Sequence, residues 1–160
     1  MLPKVSRPSA RIICLDSQGR ILLLRFRDPF DGSIKWEPPG GGIEAGETPL
    51  GAARRELVEE TDLPGELIEP SPVEIPRAFR WNGRDHQHTE WFYLARIPKT
   101  DVRPAGLLPE EREQFRGYRW FSLEEIRSFP ERIEPLELLE IVAELSPVGV
   151  VDIADNVPPE

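Results

Sequence analysis

Apolar positions in the first forty residues fall in short runs broken by turn formers. Arg11-Ile-Ile-Cys-Leu15 and Ile21-Leu-Leu-Leu-Arg-Phe26 flank Asp16-Ser-Gln-Gly19. This predicts two strands joined by a glycine-containing turn. The runs are nearly continuous rather than alternating, so both strands are expected to be covered on both faces. Residues 34–37 predict a further short strand, halted by Pro38-Pro39, and the glycine-rich stretch Gly40 to Gly46 follows as a loop. The clearest helix comes next. Thr48 is placed to cap it, Pro49 takes the first helical position, and Leu50 to Thr61 form the body. Asp62-Leu-Pro-Gly65 ends it.

The second half alternates in the same way. Residues 73–81 and 89–97 predict two strands around the polar turn Asn82-Gly-Arg-Asp-His86, and residues 117–121 a last short strand. Ser122-Leu-Glu-Glu125 has the spacing of a capping box and opens a short helix. Pro135 starts a final amphipathic helix with Leu136, Leu139, Val142 and Ala143 at core spacing. Strands and helices interleave over residues 1–146, which predicts one α/β domain followed by a loose tail at 147–160.

Composition narrows the class. Apolar residues make up 39% and charged residues 31%, a soluble globular balance. No stretch approaches the roughly 20 apolar residues a membrane-spanning helix needs, and the start of the chain lacks the apolar core of a secretory signal. A single cysteine, Cys14, excludes an internal disulfide and a thiolate zinc cluster and suits a reducing compartment, so a cytoplasmic location is expected. Between Ile13 and Leu15 it reads as a small buried apolar residue. The 18 prolines exclude a long helical bundle. Asp and Glu number 29 against 20 Lys and Arg, a net charge of −9. That argues against long nucleic acid held on a general basic surface. It is awkward for any anionic substrate unless something neutralises the charge locally.

Such a place is legible on the long helix. Glu56, Glu59 and Glu60 stand at i, i+3 and i+4, along one face. A solvated acidic face is the ordinary reading of this pattern. Two features oppose it: the acids lie in the last turns, where the macrodipole disfavours negative charge, and their mutual repulsion raises their pKa values unless a cation shares the site. A hard divalent cation such as magnesium, which takes oxygen ligands, answers both.

Gly41, Glu47, Arg55, Glu56, Leu57, Glu59, Glu60 and Leu63 then match a family pattern: glycine, five residues, glutamate, seven residues, and Arg-Glu-aliphatic-x-Glu-Glu. Six such residues at fixed spacing, each used at about 7%, arise by chance at roughly 10⁻⁷ per start position. The stretch resembles the Nudix box, and its surroundings, Trp36 ahead of Pro39-Gly40-Gly41 and Arg119-Trp-Phe-Ser-Leu-Glu-Glu125, are similar to the family's. One departure is Asp62, where the family usually has glycine. Asp and Asn enter the left-handed region most readily after glycine, so the turn is expected to survive.

The resemblance implies an α/β/α sandwich with a mixed central sheet, and hydrolysis of a nucleoside diphosphate linked to another group. It implies Mg2+ as cofactor, with Mn2+ as an alternative. Carried over residue by residue, Glu59 and Glu60 are the chief metal ligands, and Glu56 is a further ligand or the base for the attacking water. The Gly40 carbonyl adds a ligand from the loop, while Gly41, Glu47 and Arg55 serve the motif structurally. Family members often recruit one more acid from outside the box; Glu113 is preferred here over Glu110, Glu111 and Glu90. Arg25 and Arg27 are candidates for a substrate phosphate, and Trp81 and Phe79 for stacking on a base. His86 and His88 read as exposed turn residues.

Two other readings stay open, a non-catalytic nucleotide-binding module and an isomerase acting on an isoprenoid diphosphate. Every box carboxylate is present, against the first, and Cys14 lies in a strand rather than a site, against the second. Candidate substrates are nucleoside triphosphates, ADP-ribose, dinucleoside polyphosphates and capped RNA ends, the last disfavoured by the acidic balance. A homodimer is the expected assembly.

Overall fold

The computed structural model describes residues 4–98, 101–104 and 106–147; from residue 148 on, the expected tail lies outside the described residues. Among the described residues nine strands form one curled, mixed sheet. They are β1 (Lys4–Val5), β2 (Ser9–Asp16), β3 (Ile21–Arg27), β4 (Ile34–Glu37), β5 (Gly40–Gly42), β6 (Val73–Trp81), β7 (Arg84–Ile97), β8 (Phe115–Phe121) and β9 (Arg132–Ile133). The main path runs β1-β7-β2-β3-β4-β9, with β5 paired to β2, β6 to β7 and β8 to β3. β2 runs parallel to β7 and antiparallel to β3. The helices are α1 (Pro49–Thr61), α2 (Pro109–Gln114), α3 (Leu123–Ser128) and α4 (Leu138–Leu145).

The continuous apolar runs of β2 and β3 are covered from both sides. On one side Ile12, Cys14, Leu22 and Leu24 pack with Ala52, Ala53 and Leu57 of α1. On the other Ile13, Leu15, Leu23, Phe92 and Phe121 pack with Leu138, Ile141 and Val142 of α4. Helix, sheet and helix thus stack in three layers, the architecture the Nudix resemblance implies. Cys14 is fully buried in the first of these cores.

Three expectations are corrected. The final helix starts at Leu138 and turns Leu138, Ile141 and Val142 inward, whereas Leu136 is 92% exposed and Ala143 is exposed. Leucines at 136, 138 and 139 leave the helical phase ambiguous, and the turn closed by Leu138 N–H on the Pro135 carbonyl resolves it. The turn read at residues 82–86 shrinks to Asn82-Gly83, both at positive φ, with Trp81 opposite Arg84. That is the Asn-Gly hairpin signature. It lengthens β7 back to Arg84 and places His86 and His88 on a strand instead of a loop. Glu110, Glu111 and Glu113 lie on the short helix α2, where a loop was expected.

Candidate active site

The start of α1 is fixed locally. Thr48 accepts a hydrogen bond from Gly51 N–H at 3.0 Å, and Pro49 holds the first helical position. Its end is fixed by Asp62, at φ 60° and ψ 20°, whose N–H reaches the Val58 carbonyl. The left-handed turn is therefore made without glycine. Between these ends α1 buries Ala52, Ala53, Glu56, Leu57, Glu60 and Thr61. Two of its three aligned acids, Glu56 and Glu60, thus sit on the edge turned toward the sheet.

The glycine loop passes over that edge. Gly40, at φ +149°, runs so close to β2 that a Cβ there would stand 2.2 Å from the Ala10 carbonyl. A Cβ on Gly41 would stand 2.5 Å from Glu56 Oε1. Gly40 N–H donates to Glu60 Oε2 at 3.3 Å. Arg55 ties loop to helix: Nε and Nη2 donate to both oxygens of Glu47 at 2.8 Å, and Nη2 also to the Gly42 carbonyl at 3.0 Å. Its Nη1 reaches Glu56 at 3.0 Å and Glu59 at 3.2 Å. The Arg55 hydrogen bonds bring the Glu47 carboxyl down to about 2.

A third acid arrives from outside the helix. Oxygens of Glu56, Glu60 and Glu111 lie within 4.8 Å of one another. Burial lifts Glu56 above the ordinary carboxyl range despite Arg55 beside it, and Glu59 and Glu111 add to the lift. Burial, then the charge of Glu56, raises Glu60 well above that range, and Arg11 offsets only part of it. Three converging carboxylates, two of them buried and shifted toward the neutral form, make an oxygen-only donor set short of positive charge, which suits a hard divalent cation. Glu59 stands outside this group, its side chain 38% exposed and held by Arg55.

Glu113 is not the acid that joins the box residues. It lies two positions beyond Glu111 on α2, a spacing that points side chains to different helix faces. The segment Pro109-Glu-Glu-Arg-Glu-Gln114, with proline at the first helical position, carried the missed helix signal. Arg25 is engaged elsewhere, in an ion pair with Glu131 at 3.0 Å and over the Trp36 ring. Arg27 is exposed at the end of β3. Trp81 donates from its indole to Gln114 Oε1 at 3.1 Å and carries Lys35 Nζ 4.1 Å from its ring centre.

Beside the acids lies a second ionic assembly that the sequence did not reveal. Arg11 faces Glu37 at 3.4 Å and Glu90 at 3.7 Å. Glu90 meets Arg77 at 3.2 Å, Arg77 meets Glu134 at 3.4 Å, and Lys35 closes the ring to Glu134 at 3.9 Å and Glu37 at 3.2 Å. All four non-arginine members are buried, Glu90 to 1% exposure. Burial opposes the charge on Glu90, but Arg11, the His88 hydrogen bond and Arg77 outweigh it and bring the carboxyl to about 2. His88, bound to Glu90 at 2.8 Å and to Ser6, is part of this assembly. Charged residues interrupting apolar strands, such as Arg11 between Ala10 and Ile12, were the available signal.

The NUDIX domain model matches residues 5–141, most of the chain. The chain belongs to the Nudix family. An RNA pyrophosphohydrolase of Novosphingobium aromaticivorans is 32% identical over 143 residues, covering 82% of this chain and 84% of that protein. Nudix hydrolase 25 of Arabidopsis thaliana is 30% identical over 138 residues, covering 78% and 77%. The Nudix fold is shared with the Ap4A hydrolase of C. elegans, at a TM-score of 0.61 and 19% identity over 91% of this chain and 99% of that one. Family and relatives together make this Nudix protein a pyrophosphohydrolase. Such enzymes generally use divalent metals, and a cluster of acidic residues is present.

Proposed function

We propose that the chain uses Mg2+, or Mn2+ in its place, to hydrolyse the pyrophosphate bond of a nucleoside diphosphate linked to another group. The classes are nucleoside triphosphates, ADP-ribose and dinucleoside polyphosphates. The observation that carries this is the convergence of Glu56, Glu60 and Glu111 from two separate elements. Glu56, Glu59, Glu60 and the Gly40 carbonyl would hold the metal, with Glu111 as the added acid. Arg11 donates to the Gly40 carbonyl at 3.3 Å, and a carbonyl oxygen keeps a second lone pair for another partner. The bound cation supplies neutralisation of phosphate oxygens and orientation of water. The protein's own part is positioning: Arg55 holds Glu47, Glu56, Glu59 and the Gly42 carbonyl in one array, so loop and acids move as a unit. Glu56, the acid under Gly41, would take the proton from the attacking water.

The test is a panel of dGTP, ADP-ribose and diadenosine tetraphosphate, assayed with Mg2+, with Mn2+ and with chelator. Metal-dependent turnover of at least one member is expected. Glu59→Gln and Glu60→Gln should each abolish it while the protein stays folded, and retained turnover would sink the metal-site assignment. A second reading has support of its own: several relatives near 30% identity are RNA pyrophosphohydrolases. A pyrophosphate-bearing RNA therefore joins the panel. With a net charge of −9, RNA should be engaged only near its end, so its KM should rise far less steeply with salt than a basic groove requires.

A further inference from the structure

Glu111 must be held against the repulsion of Glu56 and Glu60: its carboxylate accepts the Leu108 N–H at 3.0 Å within the helix's own first turn, which leaves the place of the helix itself to be fixed from its two ends. α2 has six residues and buries none of them, and so short a helix is not stable by itself. On its N-terminal side the chain is strapped across the end of α1. Arg103 and Gly106 N–H groups bond the carbonyls of Thr61 and Glu59 at 2.9 and 2.8 Å, with Val102 and Leu107 buried alongside. On its C-terminal side Gln114 accepts the Trp81 indole N–H at 3.1 Å. The Arg116 side chain of β8 also donates to the Glu113 carbonyl near the end of α2.

Trp81 is itself well anchored. Its ring packs against the core beneath α1 and under Lys35. The next residue, Asn82, is tied by its N–H to the buried Asp28 at 3.1 Å. We propose that the Trp81–Gln114 hydrogen bond is a latch that positions Glu111 over Glu56 and Glu60, so that Trp81 serves the reaction as a positioning residue rather than as a platform for the base. This rests on the metal-site reading of Glu111 given above.

The test compares Trp81→Phe, which removes the N–H and keeps a ring, with Gln114→Leu, Gln114→Glu and Glu111→Gln. Mn2+ binding is followed by the electron paramagnetic resonance of the free ion, and kcat and KM by the best substrate of the panel. Trp81→Phe and Gln114→Leu should each weaken Mn2+ binding roughly tenfold and lower kcat by roughly ten- to a hundredfold, the scale of a misplaced catalytic group. KM should stay within about twofold. Gln114→Glu keeps an acceptor for the indole and should restore Mn2+ affinity toward wild type. In a Glu111→Gln background neither latch variant should lose anything more. Full additivity there, or unchanged Mn2+ affinity in both latch variants, overturns the latch. If Glu111→Gln itself leaves affinity and kcat unchanged, the assignment of Glu111 fails and the latch falls with it.

Discussion

Replacing Arg11 with Met keeps an apolar stem and removes the guanidinium between Glu37 and Glu90. The Glu90 carboxyl is drawn from an ordinary 4.5 to about 2, a preference for the charged form of roughly 3 kcal/mol at about 1.36 kcal/mol per tenfold change in acidity. Arg11 is the largest favourable contributor to it. Removing one partner of a buried pair costs about 3–5 kcal/mol. The low end applies here, because Glu37 keeps Lys35 at 3.2 Å and Glu90 keeps Arg77 at 3.2 Å and His88 at 2.8 Å. A loss of about 3 kcal/mol at about 2–4 °C per kcal/mol lowers the melting midpoint by about 6–12 °C.

The assay is thermal unfolding by circular dichroism in chelator, with Arg80→Ala as control. Arg80 pairs with Asp85 at 3.1 Å on the surface, and its loss should cost less than about 1 kcal/mol. The pH dependence has a definite sign. A carboxyl held below its unfolded value stabilises the fold above that value and loses the contribution as pH falls through the folded one. The gap between wild type and Arg11→Met should thus be full at pH 7 and narrow from about 4.5 toward about 2. A midpoint drop no larger than that of Arg80→Ala, or a gap that widens on acidification, refutes the reasoning.

The other predictions concern the acids and the loop. Mg2+ at a hundredfold over its Kd should stabilise the protein by about 2.7 kcal/mol in calorimetry. The gain should be smaller at pH 5 than at pH 8, since Glu56 and Glu60 keep their protons further up the pH scale than ordinary carboxyls. Gly41→Ala should lower kcat, because its Cβ displaces the Glu56 carboxyl that Arg55 holds, and should lower the melting midpoint less than Gly40→Ala, which is driven against the Ala10 backbone. In chelator, Glu60→Gln should melt at or above wild type, whereas Glu90→Gln should melt below it, and side-by-side scans decide both signs.

What the sequence disclosed follows from how local each feature is. The box glutamates, the Thr48 cap and the β2–β3 hairpin depend on neighbours within a few residues, and spacing alone exposes them. Glu111 reaches the site across some fifty residues of chain, and nothing in its own neighbourhood separates it from Glu110 or Glu113. The same holds for Trp81 and Arg25. Their types suit a base or a phosphate, but the structure supplies protein partners, Gln114 and Glu131, from 33 and 106 residues away. Tertiary pairing also placed His88 inside, since the Asn82-Gly83 turn is tighter than the polar run around it suggested.

The opposite signs expected for Glu60 and Glu90 express how the chain distributes its surplus of acid. In the ring three cations alternate with three carboxylates, so each buried charge is answered within the protein and removing one leaves its neighbours exposed to an uncompensated field. At the box, Glu56, Glu60 and Glu111 converge without an equal number of cations between them, and burial, with the neighbouring carboxylates adding to it, makes Glu56 and Glu60 resist ionising. Arg11 stands between the two groups. It pairs with Glu37 and Glu90, donates to the Gly40 carbonyl, and only partly offsets the burial of Glu60. A net charge of −9 therefore says little about substrate by itself. What matters is that the balanced acids are spent on the fold, and the unbalanced ones are left where a divalent cation would complete them.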